Sequence, residues 1–410
     1  MATGRVFSTG FTNRPISGVS RVTSDPVFYS IFLIFTGAAV LATVALFARQ
    51  ALLVAYIALG IALGPYAFGL ISDPSLITQI SDIGIIFLLY LLGLDLQPQE
   101  LWNMMRKATM VTLLSSLVFG AVGVAVANVF GFTLAESMVI GAAMMFSSTI
   151  IGLKLLPTTV LHHQHTGEII ISILLLQDLI AILVLLGVQS MGKGGVAWGE
   201  LGQVALALPA LVIFAALVER YVLVPLIARF DTIQEYIFLI AIGWCLGMAE
   251  LAGVMGLSHE IGAFIGGVAL ASSPIALFIA ESLRPLRDFF LVMFFFSLGA
   301  SFNLGVIGEV LLPALVLAAA ALLLKPLVFR VLLKRVGEAS GRSLEVGVRL
   351  GQISEFSLLI AITALGSGVI GAKASYLIQL ATLITFVVSS YFVVLRYPTP
   401  IAVSDRLRRN

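Results

Sequence analysis

The chain has 410 residues, 60% of them hydrophobic and only 11% charged, with a formal net charge of +2. A water-soluble fold of this composition could not cover its surface with polar groups, and so small a charge excess gives no reason to expect nucleic acid as a partner. The lone cysteine, Cys245, excludes a disulfide within one chain.

Residues 1–26 form a polar, Ser/Thr/Arg-rich tail with Arg5, Arg14 and Arg21 and no apolar stretch of the kind a secretory signal needs. Beyond it, apolar runs long enough to cross about 30 Å of hydrocarbon recur along the chain. Lipid offers no partner for backbone N–H and C=O, so these runs must be helical. They predict an all-α polytopic membrane protein of about thirteen transmembrane helices. The expected spans lie near 27–47, 51–69, 82–97, 108–130, 134–155, 167–190, 200–225, 234–256, 259–280, 287–303, 308–332, 343–366 and 374–396. Residues 27–396 then make one transmembrane domain, and 397–410 a basic tail.

Basic residues set the orientation. One set of alternate loops, with the C-terminal tail, holds Arg49, Arg106, Lys107, Lys154, Arg220, Arg229, Arg284, Arg287, Arg330, Lys334, Arg335, Arg342, Arg396, Arg406, Arg408 and Arg409; the other holds Lys193 and Lys373 beside the tail arginines. Positive charge favours the cytoplasm, which places the N-terminus outside and the C-terminus inside. An odd number of spans divides into six, a connector and six, so equivalent spans run in opposite directions, as in an inverted repeat. The fifth and twelfth spans look interrupted, and they are equivalent under that division.

A few polar groups lie deep within spans, where an unpaired charge costs at least about 2.5–3.5 kcal/mol. Asp178, preceded by Gln177, is flanked by apolar residues on both sides. A carboxylate there is caught between the cost of its charge and the pull of a nearby cation, so it can trade a proton for a metal ion. Lys325 lies too far inside its span to reach an interface easily, and Pro326 frees a backbone carbonyl beside it. Ser147, Ser148 and Thr149 put three hydroxyls in the fifth span, and Gly351, Gln352, Ser354 and Glu355 make a polar kink in the twelfth. Broken helices with hydroxyls and unpaired carbonyls form oxygen-rich ion sites. Arg349 stands six residues before Glu355, within reach around a break but not along one helix. Gly262, Gly266 and Gly267 suit a close helix contact, while His162, His163 and His165 lack further metal ligands and read as solvated. Nucleophile-elbow, Walker and zinc-protease motifs are absent from the sequence, which gives no support to an enzyme or an ATP-driven pump, and no cofactor is expected.

The segments GIALGP at 60–65, LLGLDL at 91–96, FSST at 146–149, LQDL at 176–179 and GQISEF at 351–356 resemble, in order, the Kef-type branch of the monovalent cation:proton antiporters. The resemblance runs from about residue 30 to 396. It implies a thirteen-helix fold with a core and a dimerisation domain, and secondary active exchange of K+ or Na+ for H+ by elevator-like alternating access. Asp178 would be the metal-binding carboxylate and Lys325 its paired lysine, with Ser147, Ser148, Thr149 and the 351–356 stretch at two crossing helix breaks. The Gln177–Asp178 pair resembles potassium exchangers, which favours K+ over Na+. A homodimer in the lipid of a bacterial inner membrane is implied as well. Kef-type chains usually continue into a cytosolic nucleotide-binding regulatory domain, which this sequence does not include; a separate cytosolic regulatory subunit could take its place. The competing readings are a gated K+ channel and an organic-anion symporter on a related fold, with Lys325 or Arg349 facing the anion.

Overall fold

The structure, a computed structural model, describes residues 26–48, 50–71, 75–95, 98–154, 165–191, 198–230, 233–271, 273 and 275–399. The N-terminal tail, the loop with His162 and His163, and residues 400–410 lie outside the described residues, as do Arg49 and Lys193. The helices are α1 (Pro26–Phe47), α2 (Leu52–Leu63), α3 (Ser75–Asp95), α4 (Pro98–Val129), α5 (Leu134–Met145), α6 (Thr149–Lys154), α7 (His165–Met191) and α8 (Trp198–Val218). They continue with α9 (Val224–Arg229), α10 (Gln234–Val254), α11 (His259–Ala271), α12 (Ala276–Ala300), α13 (Ile307–Arg335), α14 (Ser340–Arg349), α15 (Glu355–Gly366) and α16 (Ala372–Arg396). Among the described residues, seven helical stretches are long and apolar enough to cross a membrane, and five shorter apolar helices accompany them.

Departures from the expected spans have local causes. The second helix stops at Leu63 because Gly64 is extended and Pro65 cannot continue the ladder. The tenth begins at Ala276 rather than 287, because its first turns carry Glu281, Arg284, Arg287 and Asp288, whose charges hid a helix from hydropathy. Between α8 and α9, Glu219–Leu223 form a π-helical turn, where Pro225 removes a backbone donor and a wider turn takes up the slack. The two interruptions expected in the fifth and twelfth spans are real: residues 146–148 separate α5 from α6, and 350–354 separate α14 from α15.

Packing sorts the helices into two bodies. One is built on α3, against which α11 and α12 pack, with α2 on α12, α1 on α2 and α10 on α11. The other gathers α4, α5, α7, α14, α15 and α16 around α13 and the two breaks. Exchange α1 with α10, α2 with α11, α3 with α12, α4 with α13, the α5/α6 pair with α14/α15, and α7 with α16. The contacts are reproduced: α2 on α12 becomes α11 on α3, and α4 on α7 becomes α13 on α16. The inverted repeat, invisible in residue identity, is written in the packing, with α8 and α9 as its connector.

Glycines make the closest of these contacts. A Cβ on Gly299 would lie 2.1 Å from the Ile57 carbonyl oxygen, and one on Gly267 2.1 Å from that of Tyr90. These two crossings, α12 on α2 and α11 on α3, are mates under the exchange. Gly262 meets the Met248 carbonyl of α10 at 2.2 Å in the same sense, so the expected glycine contact of α11 is formed. Among the long helices, α16 and α7 are the most enclosed, with 61% and 56% of their apolar windows buried, against 17% for α1. Gln177 and Asp178 on α7, and Thr382, Thr385 and Ser389 on α16, are buried within the protein.

Candidate functional site

Both helix breaks meet at one place beside α7, α13 and α16. The α5 helix begins with a capping box, Thr133 and Glu136 closing on each other's backbone, and ends at Met145. Gln177, fully buried on α7, spans the gap that follows: its Nε2 donates to the Met145 carbonyl (3.2 Å) and its Oε1 accepts from the Ser147 N–H (3.0 Å). Ser147 Oγ donates to the Leu350 carbonyl of the second break at 2.8 Å, and Ser148 Oγ accepts from the Ile151 N–H in the first turn of α6. The second break is braced from α16, the symmetry mate of α7. Thr385 Oγ1 accepts from the Ile353 N–H (3.0 Å), and Ser389 Oγ donates to Gln352 Oε1 (3.0 Å). Gln352 Nε2 crosses to the Ser148 carbonyl at 3.3 Å, Ser357 Oγ donates to the Ala143 carbonyl, and Ser354 caps α15 through the Phe356 N–H.

Lys325 sits at the crossing with none of its surface exposed. Its Nζ donates to the Phe146 carbonyl at 2.6 Å, the Gln352 carbonyl at 3.0 Å and Ser147 Oγ at 3.5 Å, and lies 5.4 Å from the centre of the Phe119 ring. The ammonium thus meets carbonyls just past the C-terminal ends of α5 and α14, the negative ends of those half-helices. The three acceptors and the Phe119 ring offset the cost of burying this ammonium.

Asp178, 1% exposed, lies one residue beyond Gln177 on α7 and accepts from Thr149 Oγ1 at 3.0 and 3.3 Å. The expected Lys325–Asp178 ion pair is not formed. The backbone carbonyls at the two breaks claim the ammonium, and the carboxyl turns to a hydroxyl in the first turn of α6. Glu355 opens α15 at 4% exposure. Gly351 lies in the second break against the ring of Pro326. Arg349, at the end of α14, binds Glu345 (3.0 Å) and the Pro398 carbonyl (2.9 Å), with the Tyr397 ring 5.5 Å away. It fastens α14 to the segment after α16.

Other expectations resolve away from the crossing. Glu250, which falls within the expected 234–256 span, is exposed near the end of α10 and faces His259 at 3.5 Å. His165 is exposed but not merely solvated: its ring nitrogens meet Glu168 and Glu338, both at 2.9 Å, and Glu338 also binds Arg342. Phe119, Ser357, Thr385 and Ser389 were missed by sequence reasoning. The α16 pair had a readable signal, because Ser375, Thr382, Thr385 and Ser389 recur on one helical face of an apolar span and all are buried.

Residues 31–395 match the family model described as sodium/hydrogen exchanger, transmembrane. A relative named "Iron transporter MagA", from Paramagnetospirillum magneticum, is 28% identical over 347 residues, covering 84% of this chain and 80% of its own length. The fold is similar to that of the sodium proton antiporter MjNhaP1 from Methanocaldococcus jannaschii at pH 8, with a TM-score of 0.65 at 17% identity over 90% of this chain and 95% of that one. An electron-microscopy structure of the same antiporter gives 0.63 at 15% identity over 90% and 94%.

Proposed function

The chain belongs to the sodium/hydrogen exchanger family and is an integral membrane transporter rather than an enzyme, and we propose that Asp178 is the group at which it exchanges a monovalent cation for protons. The observation that carries this reading is a carboxyl held at 1% exposure between two broken helices, with a hydroxyl as hydrogen-bond partner and no lysine paired to it. Such a group keeps its charge only by holding a cation and gives it up by taking a proton, so the two compete for the same oxygens.

The finer reading follows the sequence. Gln177 before Asp178 favours K+ over Na+ and the Kef-type branch. Two bodies packed against each other, one carrying the breaks and the other not, suit an elevator in which the α13 body moves Asp178 between the two faces of the membrane. The reading includes thirteen crossings within residues 27–396, an outside N-terminus, a homodimer in a bacterial inner membrane and a cytosolic regulatory partner. The test is dissipation of a pH gradient in proteoliposomes by K+, Na+ or Li+, with Fe2+ as a further arm because one relative is named for iron. Asp178→Asn should abolish cation-dependent proton flux; full activity in that variant refutes the assignment. Cation flux without proton coupling would favour a channel, and competition by organic anions a symporter.

A further inference from the structure

The C-terminal half of α13 carries an exposed apolar face that runs into three cations. Leu323, Leu327 and Val331, spaced four residues apart and 66%, 53% and 51% exposed, make one row along it. Arg335 continues that row, and Arg330 and Lys334 form the row beside it; all three are exposed. From Leu323 to Lys334 the face runs about 16 Å, close to half of the roughly 30 Å of hydrocarbon in a bilayer. On a helix that crosses the membrane, the apolar rows therefore line the depth of one leaflet and the cations stand at its headgroup level. The nearby acids are committed elsewhere: Glu338 to His165 and Arg342, and Glu345 to Arg349. Among the described residues, no carboxylate pairs with Arg330, Lys334 or Arg335. Arg330 donates through Nε and Nη2 to Ser340 Oγ, at 3.3 and 3.1 Å, which positions the guanidinium and leaves its remaining donors for a further acceptor. Exposed cations on other helices, Arg229 on α9, Arg284 on α12 and Arg396 on α16, do not gather three to a face in this way.

We propose that this face is a binding site for an anionic phospholipid, whose phosphate lies among Arg330, Lys334 and Arg335 and whose acyl chains lie along Leu323, Leu327 and Val331. Charge complementarity selects an anionic lipid over a zwitterionic one. Three cations without a carboxylate partner attract a headgroup of net negative charge, whereas a zwitterionic headgroup brings its own cation to the same place. The apolar row selects a lipid over a soluble phosphate, because only a lipid brings chains to lie against it. Bound there, the lipid fastens the end of the helix that presents Lys325 to the crossing, five residues before Arg330. The inference stands apart from the exchange reading of Asp178.

The test uses the full chain purified in a neutral maltoside detergent, with phosphatidylglycerol as the probe and thermal unfolding as the readout. Phosphatidylglycerol should raise Tm in a saturable manner, while phosphatidylcholine with the same chains and soluble glycerol 3-phosphate should not. An equal rise with phosphatidylcholine removes the charge selection, and an equal rise with glycerol 3-phosphate removes the lipid; either result overturns the proposal. Replacing the three cations together, Arg330→Gln with Lys334→Gln and Arg335→Gln, should weaken apparent binding about 100-fold, the combined loss of three charges at headgroup level. Arg229→Gln with Arg284→Gln and Arg396→Gln removes the same charge from three separate helices and should keep the wild-type response. Equal weakening in the two triple variants would mean a diffuse attraction to the whole surface and overturns the site, as does wild-type binding in the first of them. Should that first triple variant fail to fold, Lys334→Gln alone decides: it should weaken binding about 5-fold, and wild-type affinity overturns the proposal.

Discussion

Lys325→Met separates two accounts of the buried lysine. Methionine fills the stem's volume and removes the ammonium, leaving the Phe146 and Gln352 carbonyls without the donor that now lies at 2.6 and 3.0 Å. Each hydrogen bond from a charged donor contributes about 1.5–3 kcal/mol. Relief of the desolvated ammonium offsets part of that loss, and water cannot replace it at a position with 0% exposure. The expected net destabilisation is about 2–4 kcal/mol, read as a shifted midpoint in SDS-titration unfolding. The second half of the experiment is a double-mutant cycle with Asp178→Asn. Groups that do not touch add within about 0.5 kcal/mol, whereas a contacting charged pair couples by up to about 3 kcal/mol. The structure places the lysine on backbone carbonyls and the aspartate on Thr149, so the coupling should fall near the lower figure. Coupling well above 1 kcal/mol, or a Lys325→Met variant as stable as wild type, would refute the bracing role.

Two further perturbations test the frame around the site. Gly267→Ala and Gly299→Ala each drive a methyl to 2.1 Å from a backbone oxygen and should destabilise by about 1–3 kcal/mol in the same unfolding assay; Gly243→Ala on α10, with open space around its Cβ, should be neutral or mildly stabilising. Glu338 lies between α13 and α14; burial pushes its carboxyl up, but hydrogen bonds from His165 and Arg342 outweigh burial and hold it below the ordinary 4.5. Its stabilising contribution is therefore complete above that ordinary value and is lost as pH falls through the depressed folded one. Glu338→Gln should lower thermal stability at pH 7 by about 0.5–1 kcal/mol, and the deficit should shrink in acid. A deficit of equal size at pH 3 and pH 7 would show that the carboxylate's charge is not its source.

How much of this was legible depended on whether a residue announced itself against its surroundings. Asp178, Lys325 and the hydroxyls of 147–149 stood out because hydrocarbon penalises them, and the two breaks followed from clustered small and polar residues in otherwise apolar runs. The partner of Lys325 was not legible in the same way. Its acceptors are backbone carbonyls, which every residue carries, so only the geometry of the crossing could show that Phe146 and Gln352 take the ammonium in place of Asp178. Thr385 and Ser389 were overlooked for a milder reason, since hydroxyls in a spanning helix usually satisfy themselves on the preceding turn. The start of α12 was misplaced because its first turns are charged while the rest is apolar. The inverted repeat left no trace in residue identity, yet appears once contacts can be exchanged.

The placement of charge at the crossing bears on how a transport cycle could run without dismantling it. Under the proposed exchange at Asp178, a lysine paired to that aspartate would have to be released and recaptured at every turnover, and the packing at both breaks would change with each load. Here the ammonium is held by the negative ends of α5 and α14 and makes no bond to Asp178. Gln177 and Ser147 join the first break to α7 and to Leu350, and Thr385 and Ser389 join the second to α16, all without drawing on the carboxyl. Binding and release at Asp178, as proposed, would then alter the surroundings of that carboxyl and its hydroxyl partner, while the braced crossing stays one piece. Under the proposed elevator, a body braced in that way would slide against the α3 scaffold as a unit, while the glycine crossings at Gly267 and Gly299 keep that scaffold close-packed.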